Sequence, residues 1–126
     1  MKNIEKYFPS ANEALVSCNI VNEKSHQVNN SVYGGQLAGF GPAVILSGLS
    51  PTVSSYLDSK NKILDCIAKV VDIAAINDGE QLLQYCLRNN DDISKMSQLR
   101  EELINASVAL KMMIRTYRTK KDKDES

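Results

Sequence analysis

Residues 91–118 read DDISKMSQLREELINASVALKMMIRTYR. Met96, Leu99, Leu103, Ala106, Leu110, Met113 and Tyr117 recur there at alternating spacings of three and four residues, which brings them to one face of an α-helix. At 1.5 Å per residue the stretch predicts a helix of roughly 40 Å with one continuous apolar seam. Asp91 and Asp92 stand where the helix dipole favours anions, and Arg115 and Arg118 stand where it favours cations.

Outward from this helix the chain continues to read as helical. Asp78 is placed to cap a short helix through Leu82, Leu83, Tyr85, Cys86 and Leu87, which Asn89-Asn90 ends. From Lys62 to Ile76 the charges Lys62, Asp65, Lys69 and Asp72 form one narrow polar stripe, so that helix is expected to be largely buried. Ser50 followed by Pro51 is a cap residue followed by the residue best suited to a first helical position, predicting a helix to about Ser59 with Gly48 as punctuation before it. Residues 10–21 form a first short helix through Ala14, Leu15, Cys18 and Val21, with Pro9 just before its start, and residues 22–31 have loop composition. The glycines between Gly34 and Gly41 predict either an irregular segment or a helix whose missing side chains let a neighbour approach. Aromatics are 6% of the chain and Trp is absent, so strand signals are weak. The expected fold is all-α: a single compact bundle of about five to six helices over residues 1–118, with a long C-terminal helix. Residues 119–126 read as a charged, disordered tail.

A chain of 126 residues buries roughly two-thirds of the surface its unfolded form exposes, enough for one core and too little for two independent domains. Cys18, Cys66 and Cys86 lie 48 and 20 residues apart, inside apolar stretches and with no C-x-x-C. They read as reduced core thiols of a cytoplasmic protein. No run approaches the roughly 18 apolar residues of a membrane span, and the N-terminus lacks an apolar signal core. The 15 basic and 15 acidic residues cancel, yet residues 1–59, 60–110 and 111–126 carry −1, −2 and +3. The charge asymmetry is C-terminal.

Catalysis needs a nucleophile, a base and an orienting group, or a metal with its ligands. His26, the one histidine, sits in the loop-like stretch. Pairing with Cys18 is the least supported reading, against a solvated loop histidine. Three scattered cysteines and one histidine supply no zinc spacing. Gly34 and Gly39 have phosphate-loop spacing, but Phe40 stands where the Lys belongs, and Val44 stands where a dinucleotide pattern needs its third glycine. Asp91-Asp92 and Glu101-Glu102 read as capping and a solvated face. No catalytic residue, metal or cofactor is expected.

The basic end is more informative. Lys111, Arg115 and Arg118 stand at i, i+4 and i+7, on one face of the predicted helix and away from its seam, and Lys120, Lys121 and Lys123 follow. Positive charge without acid from 111 to 121 is the footprint of phosphate contacts. A solvated helix end and tail is the alternative. Lys60 and Lys62, between the middle helices, are a second candidate group.

Residues 39–60, GFGPAVILSGLSPTVSSYLDSK, resemble the signature of the small subunit of type III-B (Cmr) CRISPR effector complexes. That family has a Pro, an apolar pair, Asn-Gly-Leu, a Thr-Leu-aromatic helix and a Ser-Lys close. Pro42, Ile45, Gly48, Leu49, Thr52, Tyr56, Ser59 and Lys60 match, while Ser47 replaces the Asn and Ser50-Pro51 follows Gly-Leu. In the family's last helix Ala109, Leu110, Met113 and Arg118 would fit, Val108 replaces a Glu, Arg115 falls near a Trp and Tyr117 stands in place of a Lys. The two segments cover somewhat under half the chain, and a type III-A small subunit is the related alternative. The resemblance implies a non-catalytic helical subunit that stacks head to tail into a short filament. Its implied partners are the backbone and large subunits of the complex and the guide and target RNA, held mainly through phosphates, since pairing reads the sequence. The expectation from another class is a helical protein–protein adaptor that pairs through Met96, Leu99, Leu103, Met113 and Tyr117, without nucleic acid.

Overall fold

The computed structural model describes residues 4–71, 73 and 76–118. Within them Asp92 opens the last helix, its side chain accepting a hydrogen bond from the Lys95 N–H at 3.0 Å. This is the N-cap that the acidic pair predicts. Replacing Asp92 with Ala is expected to cost about 1 kcal/mol, the usual worth of such a cap, read as a lowered thermal midpoint by circular dichroism. The helix runs Ile93–Ile114, with Leu99, Leu103, Ala106, Ala109 and Leu110 fully buried along it.

In chain order the elements are a 3-10 turn (Ile4–Tyr7), α1 (Phe8–Ser17), β1 (Val21–Asn22), β2 (Gln27–Val28), α2 (Val32–Ser47), α3 (Leu49–Ser59), α4 (Asn61–Val70), α5 (Gly79–Arg88) and α6 (Ile93–Ile114). The fold is an all-α bundle, and among the described residues the one sheet is the two-residue ladder of β1 and β2. α6 packs on α2, α1 and α4, and α3 and α5 close the other side against each other and α4. One core, including Leu15, Leu37, Phe40, Ile63, Leu64, Ile67, Leu82, Leu103 and Leu110, runs through all six helices. No helix among the described residues is long and apolar enough to cross a membrane.

Several boundaries are set by local chemistry. α1 ends in a reciprocal pair of backbone bonds, Ile20 N–H to Leu15 O and Asn19 N–H to Val16 O, with Asn19 at φ 61°. Asn tolerates that left-handed turn, and Ile20 and Leu15 bury together beneath it. Gly48 ends α2 and caps α3 at φ 93°, a conformation that L side chains rarely adopt. α3 therefore starts at Leu49, one residue before the expected Ser50 cap, and Pro51 falls within its first turn, where a missing N–H costs no helical bond. Asp78 caps α5 by accepting from Gln81 N–H, while Gln81 Oε1 accepts from Asn77 N–H.

Four expectations need correction. The first helix, expected over residues 10–21 after Pro9, is α1, Phe8–Ser17: Pro9 lies inside its first turn, where a missing N–H costs no helical bond, and the left-handed turn at Asn19 ends it, so that Val21 falls in β1. The helix expected from Lys62 to Ile76 is α4, ending at Val70, because Val71 turns to extended backbone (φ −74°, ψ 128°). The β-branched residues there favour extension, and Val71 and Ile76 still reach the core. The segment 22–31 contains a hairpin whose turn places His26 at φ 57°. The helix expected to reach Arg118 stops at Ile114. The tail 119–126 lies outside the described residues.

Candidate nucleic-acid interface

Lys111 and Arg115 belong to the end of α6, Arg115 being its C-cap. Arg118 leaves the helix. Its N–H donates to His26 O at 2.9 Å, and its carbonyl accepts from Val28 N–H at 2.7 Å, so the backbone runs parallel to Gln27 as a short bridge to the hairpin. The helical i, i+4, i+7 face is thus broken after Arg115. The physical reason is Tyr117, whose hydroxyl donates to Asn12 Oδ1 at 2.7 Å and whose ring stacks on His26 with centroids 4.5 Å apart. Thr116 and Tyr117 N–H groups bond Met113 and Ile114 carbonyls in a tightened last turn, and His26 Nε2 meets Thr116 O at 2.8 Å. His26 is exposed, yet it is tied to the C-terminal segment rather than free in solvent. The Cys18 thiol, the other half of the thiol–imidazole reading, lines a separate cleft with Asn61, Lys62, Asp65 and Lys69.

Arg115 and Arg118 are exposed, and Lys111 is half-buried. Lys111 borders a groove of about 220 Å³ between α2 and α6, formed with Ala38, Pro42 and Ile45 on one side and Ile104 and Val108 on the other. Half-buried beside this apolar lining, Lys111 has room to lay its stem along it with its head in water, as long cationic side chains do. Lys120 lies outside the described residues.

Lys60 and Lys62 sit at the α3–α4 junction, each placed by a tyrosine. The Lys60 Nζ lies 5.1 Å from the Tyr56 ring centroid and donates to Ser59 Oγ at 3.2 Å. The Lys62 Nζ lies 5.9 Å from the Tyr33 centroid, at the outer reach of a cation–π contact. Tyr56 is fixed in turn: its hydroxyl donates to Gln36 O at 2.8 Å, its ring meets Phe40 edge-on, and burial raises its pKa. Both lysines thereby border α2, as Lys111 does. α2 itself is uncharged, since no Asp, Glu, Lys or Arg stands between Lys24 and Asp58.

The glycine cluster resolves as part of α2. Its N–H groups after the first turn serve helical carbonyls and do not form an anion cradle. Gly39 lies where an added methyl would stand 3.4 Å from the Tyr56 hydroxyl, and Gly41 faces Ile104 at 3.8 Å. These two accept a neighbour, as expected of a glycine-rich helix. Gly34 and Gly35 face open space beside Tyr33.

Sequence spacing does not connect Tyr33 with Lys62 or Lys6 with Lys69, and the fold does. Lys6 and Lys69 share a cleft of about 620 Å³ with Tyr7 and Glu102. The Tyr7 hydroxyl donates to Glu102, and burial, reinforced by that carboxylate, holds its pKa well above the usual tyrosine value. Among the described residues no three His, Cys, Asp or Glu side chains group as metal ligands.

The seam of the adaptor reading is largely occupied by the chain's own core. Leu99 and Leu103 are fully buried and Tyr117 is 8% exposed, with only Met96 and Met113 partly accessible. Exposed apolar side chains lie elsewhere, with Leu46 at 86%, Ile45 at 65% and Met112 at 46%. A partner helix would meet that surface instead.

No protein-family model matches the chain, and no curated protein or solved structure matches it.

Proposed function

We propose that this chain is a non-catalytic small subunit of a type III CRISPR ribonucleoprotein, of the III-B kind that residues 39–60 resemble, acting in cytoplasmic antiviral defence. The observation that carries the reading is how that stretch folds. The second half of α2, Gly48 at its left-handed φ, α3 and Lys60 form one helix–turn–helix. The matching residues hold it: Thr52 Oγ1 donates to Gly48 O at 2.8 Å, and Tyr56 places Lys60. Ile45 and Leu46, exposed on the same unit, give a stacked copy or a neighbouring subunit an apolar contact of the head-to-tail kind that generates filaments. Lys111, Arg115 and Arg118 at one end, with Lys60 and Lys62 at the α3–α4 junction, supply positive charge for RNA phosphates. Lys120 is the further candidate in the tail. A neutral chain suits a subunit that meets RNA inside an assembly whose neighbours carry most of the charge.

Purification from the native host tests the assignment: short RNA and RNA-binding partner subunits are expected to co-elute, and an RNA-free, partner-free chain overturns it. In the purified complex, changing Lys111, Arg115 and Arg118 together to Gln is expected to weaken RNA binding about tenfold. The log–log salt slope should shrink by about 0.7 for each phosphate that is no longer neutralised, with the thermal midpoint unchanged. An identical salt titration would remove those residues from the interface.

The exposed Ile45, Leu46 and Met112 favour one second reading, a helical adaptor that docks a protein partner without nucleic acid. Size exclusion with and without RNA separates the two, since the adaptor ignores RNA.

A further inference from the structure

We propose that Cys18 and Cys66 are a peroxide-oxidisable thiol pair that closes to an intramolecular disulfide, stapling the end of α1 to α4. The sites are 48 residues apart and are brought together by the packing of α1 on α4. Cys18 is the C-cap of α1, so its side chain hangs from the turn through Asn19 rather than from helical backbone. It lines an open cleft of about 340 Å³ with Ser17, Asn61, Lys62, Asp65 and Lys69. Lys62, Asp65 and Lys69 bracket Cys66 on α4, four and one positions before it and three after, and Cys66 itself is fully buried. Cleft-lining residues on three sides of position 66 thus set its side chain against Cys18, and each thiol is the largest influence on the other's ionisation.

This arrangement divides the labour between the sulfurs. Contact with the Cys66 thiol lowers the Cys18 pKa, with the Lys69 ammonium adding to it, so the solvent-facing sulfur is the one with thiolate character. The same contact, with burial, raises Cys66 and keeps it a protonated thiol out of reach of solvent oxidants. Cys86 stands apart on α5, where burial pushes it up to about 11, and takes no part.

The chemistry needs only a hydroperoxide. The Cys18 thiolate attacks one peroxide oxygen and the O–O bond breaks. Hydroxide leaves and takes a proton to become water, and Cys18 becomes a sulfenic acid. The Cys66 sulfur then attacks Cys18 sulfur as its thiol proton is lost, the S–O bond breaks, and a second water departs. Two thiols are oxidised by two electrons and one peroxide is reduced to two waters. The sulfurs must close to a bond of about 2.05 Å, a shift that the turn at Cys18 and Asn19 is placed to absorb.

The test treats the reduced full chain with stoichiometric hydrogen peroxide. The denatured thiol count should fall from three to one, the intact mass should drop by two hydrogens, and peptide mapping should join Cys18 to Cys66 with Cys86 free. Dithiothreitol should restore all three thiols. In Cys66→Ala the reaction should stop at a Cys18 sulfenic acid that dimedone traps, and Cys18→Ser should leave the thiols at 66 and 86 unreacted. Disulfide-linked dimers through Cys18, a dimedone adduct on the wild-type chain without the internal bond, or three intact thiols would each overturn the proposal. The wild-type mass and thiol count decide it even where a variant folds poorly.

Discussion

Leu110→Ala is expected to destabilise the protein by about 3–5 kcal/mol, the range for truncating a fully buried leucine where the cavity does not collapse. Leu110 is 0% exposed and sits with Leu103, Ala106 and Ala109 in the part of α6 that faces α1, α2 and α4. These rigid neighbours leave little freedom for side chains to fill the gap. Against a total stability of about 5–15 kcal/mol for a domain of this kind, the loss is a large fraction, and the thermal midpoint should fall on the order of 10–15 °C. The next residue provides the contrast. Lys111 is half-buried beside the α2–α6 groove and outside the core, so Lys111→Gln should leave the midpoint within about 2 °C and, under the proposed function, weaken RNA binding. Chemical and thermal denaturation of the two single variants measures both. Equal effects at 110 and 111 would contradict the assignment of one side chain to the core and the other to an interface.

Gly79→Ala is expected to destabilise by about 1–3 kcal/mol, although helix propensity alone argues the other way. Gly79 is the first residue of α5, and an alanine in a helix is favoured over glycine by up to about 1 kcal/mol. The added methyl, however, would stand 2.7 Å from Leu64 Cδ2 and 3.1 Å from Asp65 Oδ1. Leu64 is 0% exposed and cannot swing away. Asp65 Oδ1 is held at 2.7 Å by the Gly79 N–H itself, so making room also strains that bond. Overpacking of this kind costs about 1–3 kcal/mol and outweighs the propensity gain. Gly35→Ala is the matched control: its methyl meets nothing within 4 Å, so the propensity gain stands alone and the midpoint should rise slightly. If both variants shift in the same direction, the close approach of α5 to α4 is misplaced.

The apolar period of residues 96–113 carries its own face in the sequence, and with it the long last helix, the all-α class and the single core. Caps and breakers are equally local, which is why Asp78, Asp92 and Gly48 mark ends that the structure keeps, to within a residue. These features depend on backbone chemistry within a few positions. The ends that moved depend on partners far along the chain. Nothing near Ile114 stops α6 in the sequence; what stops it is Tyr117 reaching Asn12 and His26, 105 and 91 positions away. The helix from Lys62 likewise yields at Val71, where extended backbone lets Val71 and Ile76 both reach the core.

The sequence by itself determined which residues are cationic and that the surplus is C-terminal. Only the tertiary structure decided how those cations stand. It took Arg118 off the helical face, set Lys60 and Lys62 over Tyr56 and Tyr33 at the border of an uncharged helix, and turned two scattered cysteines into neighbours. Spacing rules reach about one helical turn. Every one of these pairings except Lys60 with Tyr56 joins residues tens of positions apart, where proximity comes from the shape of the shared core.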